Sequence, residues 1–129
     1  MHLDKITLWH DGTPRDAALN MALDEVMLLR AAEPWLRVYR WAVPSVSIGF
    51  SQNANVVPEE KRAWSVVRRW TGGGVVVHDG DWTYTIAIPA SHPFGSERTA
   101  ETYRWIHEAI VNALNECGID GCTLQPEST

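Results

Sequence analysis

An α+β fold with a helix-covered sheet is predicted for this chain, and three observations predict it. The elements run helix, then several short strands, then helix, without the strand–helix alternation of a dinucleotide-binding fold. The strand-like runs between the two helices are broken by Pro44, by a triple glycine and by Asp79-Gly80-Asp81. Apolar residues make up 45% of the 129, enough for a conventional buried core, and the length suits one domain.

Each element can be justified in order. "ITLWHDG" reads as a short strand ending at Asp11-Gly12. The helix that follows is expected to use Thr13 as N-cap and Pro14 as its first residue, with Asp16 in the first turn. Leu19, Leu23, Val26 and Leu29, with Ala22 and Met27 beside them, make its apolar face, and Asn20 and Asp24 are expected on its surface. "WLRVYRW" and "SVSIGFSQN", separated by Pro44, read as an antiparallel pair. Pro58 opens one or two helical turns, and "SVVRRW" reads as a strand. "VVVHDGDWTYTIAIP" reads as a hairpin turning at Asp79-Gly80-Asp81, because Asp-Gly tolerates positive φ. Tyr103, Ile106, Ile110, Leu114 and Cys117 share one face of a second helix, with Gly118 just past its end. Cys122–Leu124 is expected to begin another strand.

Composition excludes several classes. Eleven basic residues against sixteen acidic ones leave a formal charge of −5, which argues against non-specific nucleic-acid binding. No basic-then-apolar leader and no apolar run of ~18 residues is present, so a cytoplasmic protein with no membrane partner is expected. Cys117 and Cys122 form a lone C-x4-C pair, expected to be reduced, without the second pair of a structural zinc site; no metal site is expected. Cys117 falls on the apolar helical stripe, where a core role is expected, and no basic partner is evident beside Cys122.

The chemistry concentrates in "RRWTGGGVVVHDG". Glycine permits positive φ and lets another group approach the main chain. Consecutive N–H groups in such a turn can form a concave anion site. Arg68 and Arg69 precede it, and strand alternation would send one to each face, where one could meet a carboxylate or phosphate. His78 follows at the end of the next strand. A plain loop, a structural histidine and surface arginines are the bland readings of the same residues. Neither the G-x-G-x-x-G nor the G-x-x-x-x-G-K-[ST] phosphate fingerprint is present. The signal is the combination of these residues within eleven positions.

The segment resembles the R-R-x-[ST]-G-G-G-x-V-x-H-D signature of the lipoate-protein ligases, in the biotin/lipoate protein ligase superfamily. "NMALDEVMLL" is similar to that family's first-helix run, and "LRVYRWAVPSVSIGFSQN" to its Y-x-W-x-x-P…G-x-x-Q-N segment. The resemblance spans about Asn20 to Thr85. It implies a class II synthetase-like fold, a mixed and mainly antiparallel sheet flanked by helices and incomplete at its C-terminus. On this reading residues 1–129 are the N-terminal portion of a ligase-like catalytic domain. It further implies activation of lipoate by ATP, with Mg2+, to an acyl-adenylate, then transfer to a lysine of a lipoyl carrier domain. By position, Arg69, Gly74, Val75, Val76 and Val77 would hold the nucleotide part of the adenylate. Gly72 and Gly73 would shape the loop, and His78 and Asp79 would close it on the acyl side. Alternation should set Val75 and Val77 on one face and Val76 on the other.

Two departures qualify the resemblance. The ligases carry an essential lysine in a later K-[IV]-[SA]-G segment, and neither Lys5 nor Lys61 occupies that place. The catalytic lysine is therefore expected beyond Thr129, with a second polypeptide completing the ligase. "HDGDWTYT" also resembles the ligase-like octanoyltransferases, which move acyl groups through a downstream cysteine without ATP. Those enzymes usually show G-G-R where Gly72-Gly73-Gly74 stands, which favours the ligase. ATP-independent octanoyl transfer and a non-catalytic acyl- or nucleotide-binding protein are the alternatives.

Overall fold

In the computed structural model, residues 3–96 and 98–125 are described. They fall into two compact units, Asp4–Pro89 and a second made of Ala90 onward with the N-terminal residues.

The first unit holds six strands and one helix: β1 (Thr7–Arg15), α1 (Ala17–Arg30), β2 (Trp35–Trp41), β3 (Ser45–Ile48), β4 (Ser65–Arg68), β5 (Val76–His78) and β6 (Trp82–Ala87). Single helical turns at Ala54–Val56 and Glu59–Lys61 bridge β3 and β4, the second opened by Pro58 as expected. The α+β expectation holds. The strands form two three-stranded sheets, ordered β1-β2-β6 and β4-β3-β5. Each is mixed: β2 runs parallel to β1 and antiparallel to β6, and β3 runs parallel to β4 and antiparallel to β5.

This topology corrects two sequence expectations. β2 and β3 are not a pair, and β5 and β6 are not a hairpin; in each case the consecutive strands belong to different sheets. Gly80 does take the positive φ expected of a turn, at 82°. The turn hands the chain from one sheet to the other instead of folding a strand back on itself.

The start of α1 is also corrected. β1 continues through Thr13 and Pro14 to Arg15, with a register irregularity after Asp11. Asp16 is the N-cap, and its carboxylate accepts from the Leu19 N–H at 2.7 Å. The buried face is not the leucine stripe. Ala17, Asn20, Met21 and Met27 are buried, whereas Leu19, Val26 and Leu29 are exposed. Asn20, expected at the surface, is 0% exposed.

The physical reason is Arg37 on β2, itself 0% exposed. A buried guanidinium must be paired. It donates to Asp11 Oδ2 at 2.9 Å, to Asp24 Oδ1 at 3.0 Å and to Asn20 Oδ1 at 2.7 Å. Asp24 also accepts from Tyr39 Oη at 3.0 Å and Thr85 Oγ1 at 2.8 Å. Burial and the Asp24 charge push the Tyr39 phenol well above its ordinary pKa. The helix therefore turns its polar edge to the β1-β2-β6 sheet. Ala17 and Met21 pack with Tyr39, Trp41 and Val67, and Val46, Ile48 and Val57 form a second cluster with Trp64 and Val75.

In the second unit, α2 (Thr99–Glu116) ends as expected, with Gly118 at φ 83° and the Ile119 N–H donating to the Leu114 carbonyl at 3.0 Å. Phe94 meets Trp105 edge-on at 4.9 Å. Cys117 is exposed, so the core role expected for it fails, and Cys122–Leu124 forms no strand.

Candidate functional site

β3 and β4 lie side by side in parallel and continue beyond their ends as a short ladder. The Arg69 N–H donates to the Ile48 carbonyl, and the Phe50 N–H to the Thr71 carbonyl, each at 2.9 Å. The glycine stretch then folds back over Gly49. The Gly73 carbonyl oxygen lies 2.2 Å from where a Cβ on Gly49 would stand, and Gly73 itself has φ 98°. Neither position accepts an ordinary side chain without movement. Gly72 and Gly74 have open space around them and no positive φ, so their backbones do not require glycine.

Both arginines are turned onto the main chain. Arg68 Nη1 donates to the carbonyls of Gly49, Phe50 and Gln52, fixing the loop after β3. Gln52 in turn accepts from the Gly49 N–H at 2.8 Å. Arg69 Nη2 donates to the Gly72 and Gly74 carbonyls at 3.0 and 2.8 Å, and its Nη1 donates to Ser47 Oγ at 2.8 Å. The expectation that one arginine projects a bidentate fork at a ligand is thus not how these side chains are spent. Arg69 is a clamp inside the glycine loop.

His78 is buried at the end of β5, where the β3–β5 register sets it across from Ser45 and two positions from Ser47. Its Nε2 is 2.8 Å from Ser47 Oγ and its Nδ1 is 3.0 Å from Asp81 Oδ2. Trp41 stacks on its face at 4.0 Å. Thr83 Oγ1 donates to Asp81 Oδ2 at 3.0 Å and accepts from Trp41 Nε1 at 2.8 Å. Burial pushes the Asp81 carboxyl up, but the hydrogen bonds from His78 and Thr83 and the charge of His78 hold it below its ordinary value.

The other candidates are placed unevenly. Val75 packs against the β3 core, while Val76 and Val77 are each 42% exposed. Asp79 is exposed; Asp81, which sequence reasoning passed over, takes the carboxylate place beside His78. Ser47, Gly49 and Gln52 were also missed as site residues. Their signal was the polar alternation of "SVS" and the G-x-x-Q spacing after β3. Lys5 pairs with Glu33 at 3.5 Å and Lys61 lies over Trp64 at 4.2 Å, and neither bonds the glycine loop. A cavity of about 270 Å³ lies beside Arg68 and Arg69, lined by Ala18, Met21, Ala22 and Glu25 of α1 and by Phe50 and Trp70.

The lipoyl protein ligase A/B catalytic-domain model matches residues 16–125. The chain belongs to that family. Octanoyltransferase LipM of Halalkalibacterium halodurans is 36% identical over 126 residues, covering 92% of this chain and 46% of that protein. LipM of Oceanobacillus iheyensis is 37% identical over 118 residues, covering 85% and 43%. The chain thus spans about half the length of the curated relatives it matches. Protein Ta0514 of T. acidophilum, a candidate lipoate protein ligase, superposes with TM-score 0.69 at 31% identity, covering 88% of this chain and 48% of that one. P. falciparum LipL1, solved in complex with lipoate, shares the fold at TM-score 0.58 and 21% identity, covering 86% and 37%.

These family members correct the functional expectation. Relatives at 32–37% identity are octanoyltransferases, so the ATP-dependent lipoate-ligase reading gives way to the alternative of acyl transfer without ATP. Among the described residues, no helix is long and apolar enough to cross a membrane.

Proposed function

We propose that this chain forms the acyl-binding part of an octanoyltransferase, which moves a medium-chain acyl group from a thioester donor to a lysine of a lipoyl carrier domain. The observation that carries the reading is its 32–37% identity to octanoyltransferases across most of its length. The geometry supports it in two ways. The Arg69 Nη atoms bond main-chain carbonyls and Ser47, which suits a substrate that brings no phosphate to the loop. The cavity beside it is lined mostly by apolar side chains, as a saturated acyl chain requires.

The transfer has two steps. A cysteine thiolate attacks the thioester carbonyl, the C–S bond to the donor breaks, the donor leaves as its thiolate and takes a proton from water, and an acyl-enzyme thioester forms. The carrier lysine amine then attacks that carbonyl, forming the amide, releasing the enzyme thiol and losing one proton. On the resemblance to the octanoyltransferases, the acyl-accepting cysteine would lie downstream of the His78-Asp79 motif. This chain's part is to seat the acyl chain and orient the carbonyl: Gly72–Gly74 and Val75–Val77 line its path, Arg69 holds their shape, and His78 and Asp79 bound the acyl end.

The test is to incubate the protein with an octanoylated carrier protein and an apo lipoyl domain, without nucleotide, and to weigh the acceptor by mass spectrometry. Octanoylation of its lysine is expected, and replacing the acyl-accepting cysteine should abolish it. No transfer, or transfer that requires ATP and releases pyrophosphate, would overturn the proposal.

A further inference from the structure

Ser47, His78 and Asp81 stand in the order and at the distances of a hydrolytic triad, with Ser47 Oγ 2.8 Å from His78 Nε2 and His78 Nδ1 3.0 Å from Asp81 Oδ2. A nucleophilic serine does not follow. Ser47 is 0% exposed, and its oxygen accepts from Arg69 Nη1 at 2.8 Å. No substrate carbonyl can reach an oxygen so enclosed. The triad faces inward, and its serine is tied to the Arg69 guanidinium.

From this we infer that Asp81 and Ser47 are positioning residues: through the tautomer of His78 they fix Arg69, and through Arg69 the glycine strand that binds the acyl group. The inference rests on the reading of that strand as part of the acyl site.

The proton inventory dictates the direction of the relay. Arginine only donates. Ser47 Oγ therefore spends a lone pair on Arg69 and has one hydrogen to give. At zero exposure that hydrogen needs an acceptor, and His78 Nε2 is the acceptor in reach. Nε2 must then be bare, so the neutral ring carries its proton on Nδ1 and donates it to Asp81. Thr83 and Trp41 hold the far end, Thr83 by donating to the same carboxylate oxygen and Trp41 by bonding Thr83 and stacking on the imidazole. If the ring were protonated on Nε2, Ser47 Oγ would face two donors and its own hydrogen would be stranded. To find an acceptor for that hydrogen the hydroxyl would have to shift, which would weaken its bond to Arg69 Nη1 and loosen the guanidinium from which the Gly72 and Gly74 carbonyls accept. The chain of contacts thus joins the β5–β6 turn to the loop at the opposite end of β5.

The test has two arms. In the first, long-range 1H–15N correlation on histidine-labelled protein reads which nitrogen of His78 carries the proton, and the backbone amides of Gly72, Gly73 and Gly74 read the strand. Nδ1 is expected to carry the proton and Nε2 to be bare, and Asp81→Asn and Ser47→Ala should each shift the three glycine amides. In the second, titration with a soluble octanoyl thioester should give affinity about tenfold weaker in both variants, the scale of losing a partner one shell out from a site. Asp81→Asn is nearly isosteric, and Ser47→Ala is the second variant should it unfold. A wild-type His78 protonated on Nε2, or glycine amides unmoved in both variants, would sink the inference. Should the wild type bind no octanoyl thioester while the tautomer and amide shifts appear as stated, the relay stands and the acyl-site reading fails.

Discussion

Gly49 and Gly73 meet at a point where a single added carbon has nowhere to go. A Cβ on Gly49 would stand 2.2 Å from a backbone oxygen, which cannot swing aside as a side chain can. Gly49→Ala should therefore lower stability by about 1–3 kcal/mol, the cost of overpacking, and displace the glycine strand. Gly72→Ala, with nothing within 4 Å of the new carbon, should leave the melting temperature nearly unchanged. Thermal melts of the two variants check the contrast; equal losses would mean the loop is not seated on Gly49. Only part of this was legible. The triple glycine announced a bare backbone, but the partner that demands it lies more than twenty residues earlier. The bonds of Arg69 to the Gly72 and Gly74 carbonyls were not legible, because a sequence does not say whether a guanidinium faces a ligand or the loop's own carbonyls.

At the scale of elements, α1 shows how a buried charge overrides an apolar pattern. Its leucines mark a conventional face, yet Asn20 and Asp24 point inward because Arg37 on β2 is buried and needs them. Arg37→Met should destabilise the protein by about 3–5 kcal/mol, since it leaves Asp11 and Asp24 with reduced pairing in a dry setting. Urea unfolding measures this, and a loss below 1 kcal/mol would mean the network is not what orients the helix. The signal was present in the i, i+4 spacing of Asn20 and Asp24 opposite an arginine in an alternating strand, but hydrophobic periodicity outvotes it on inspection. Strand identities were legible for the same reason the pairing was not: alternation is local, whereas assignment of β2 and β3, or β5 and β6, to different sheets depends on distant partners.

Across the whole molecule, acid should act through Asp11. The hydrogen bond from Arg15, with those from Arg37 and the charges of both, outweighs burial and holds its carboxyl below the ordinary value. A depressed folded pKa means the stabilisation is present above the usual carboxylate range near ~3.9 and is lost as pH falls through the folded value. Unfolding free energies at pH 7 and at successive steps below pH ~4 should fall for the wild type and fall less for Asp11→Asn. Parallel curves would rule Asp11 out as the group responsible. Family and fold class were legible from motif order, because the glycine loop, the G-x-x-Q segment and the first helix keep their sequence. The choice between ligase and octanoyltransferase was not, because it hangs on residues outside the shared motif.

The stack of Trp41 on His78 has a consequence for observation. Light emitted by an indole depends on what lies against its face, and here that is the ring at the centre of the relay, 4.0 Å away. The emission difference between the wild type and Trp41→Phe isolates this one tryptophan among seven. Any event that tilts or loosens His78, including occupation of the glycine strand, should register there as a change in colour or brightness, so the protein carries its own optical gauge of the site.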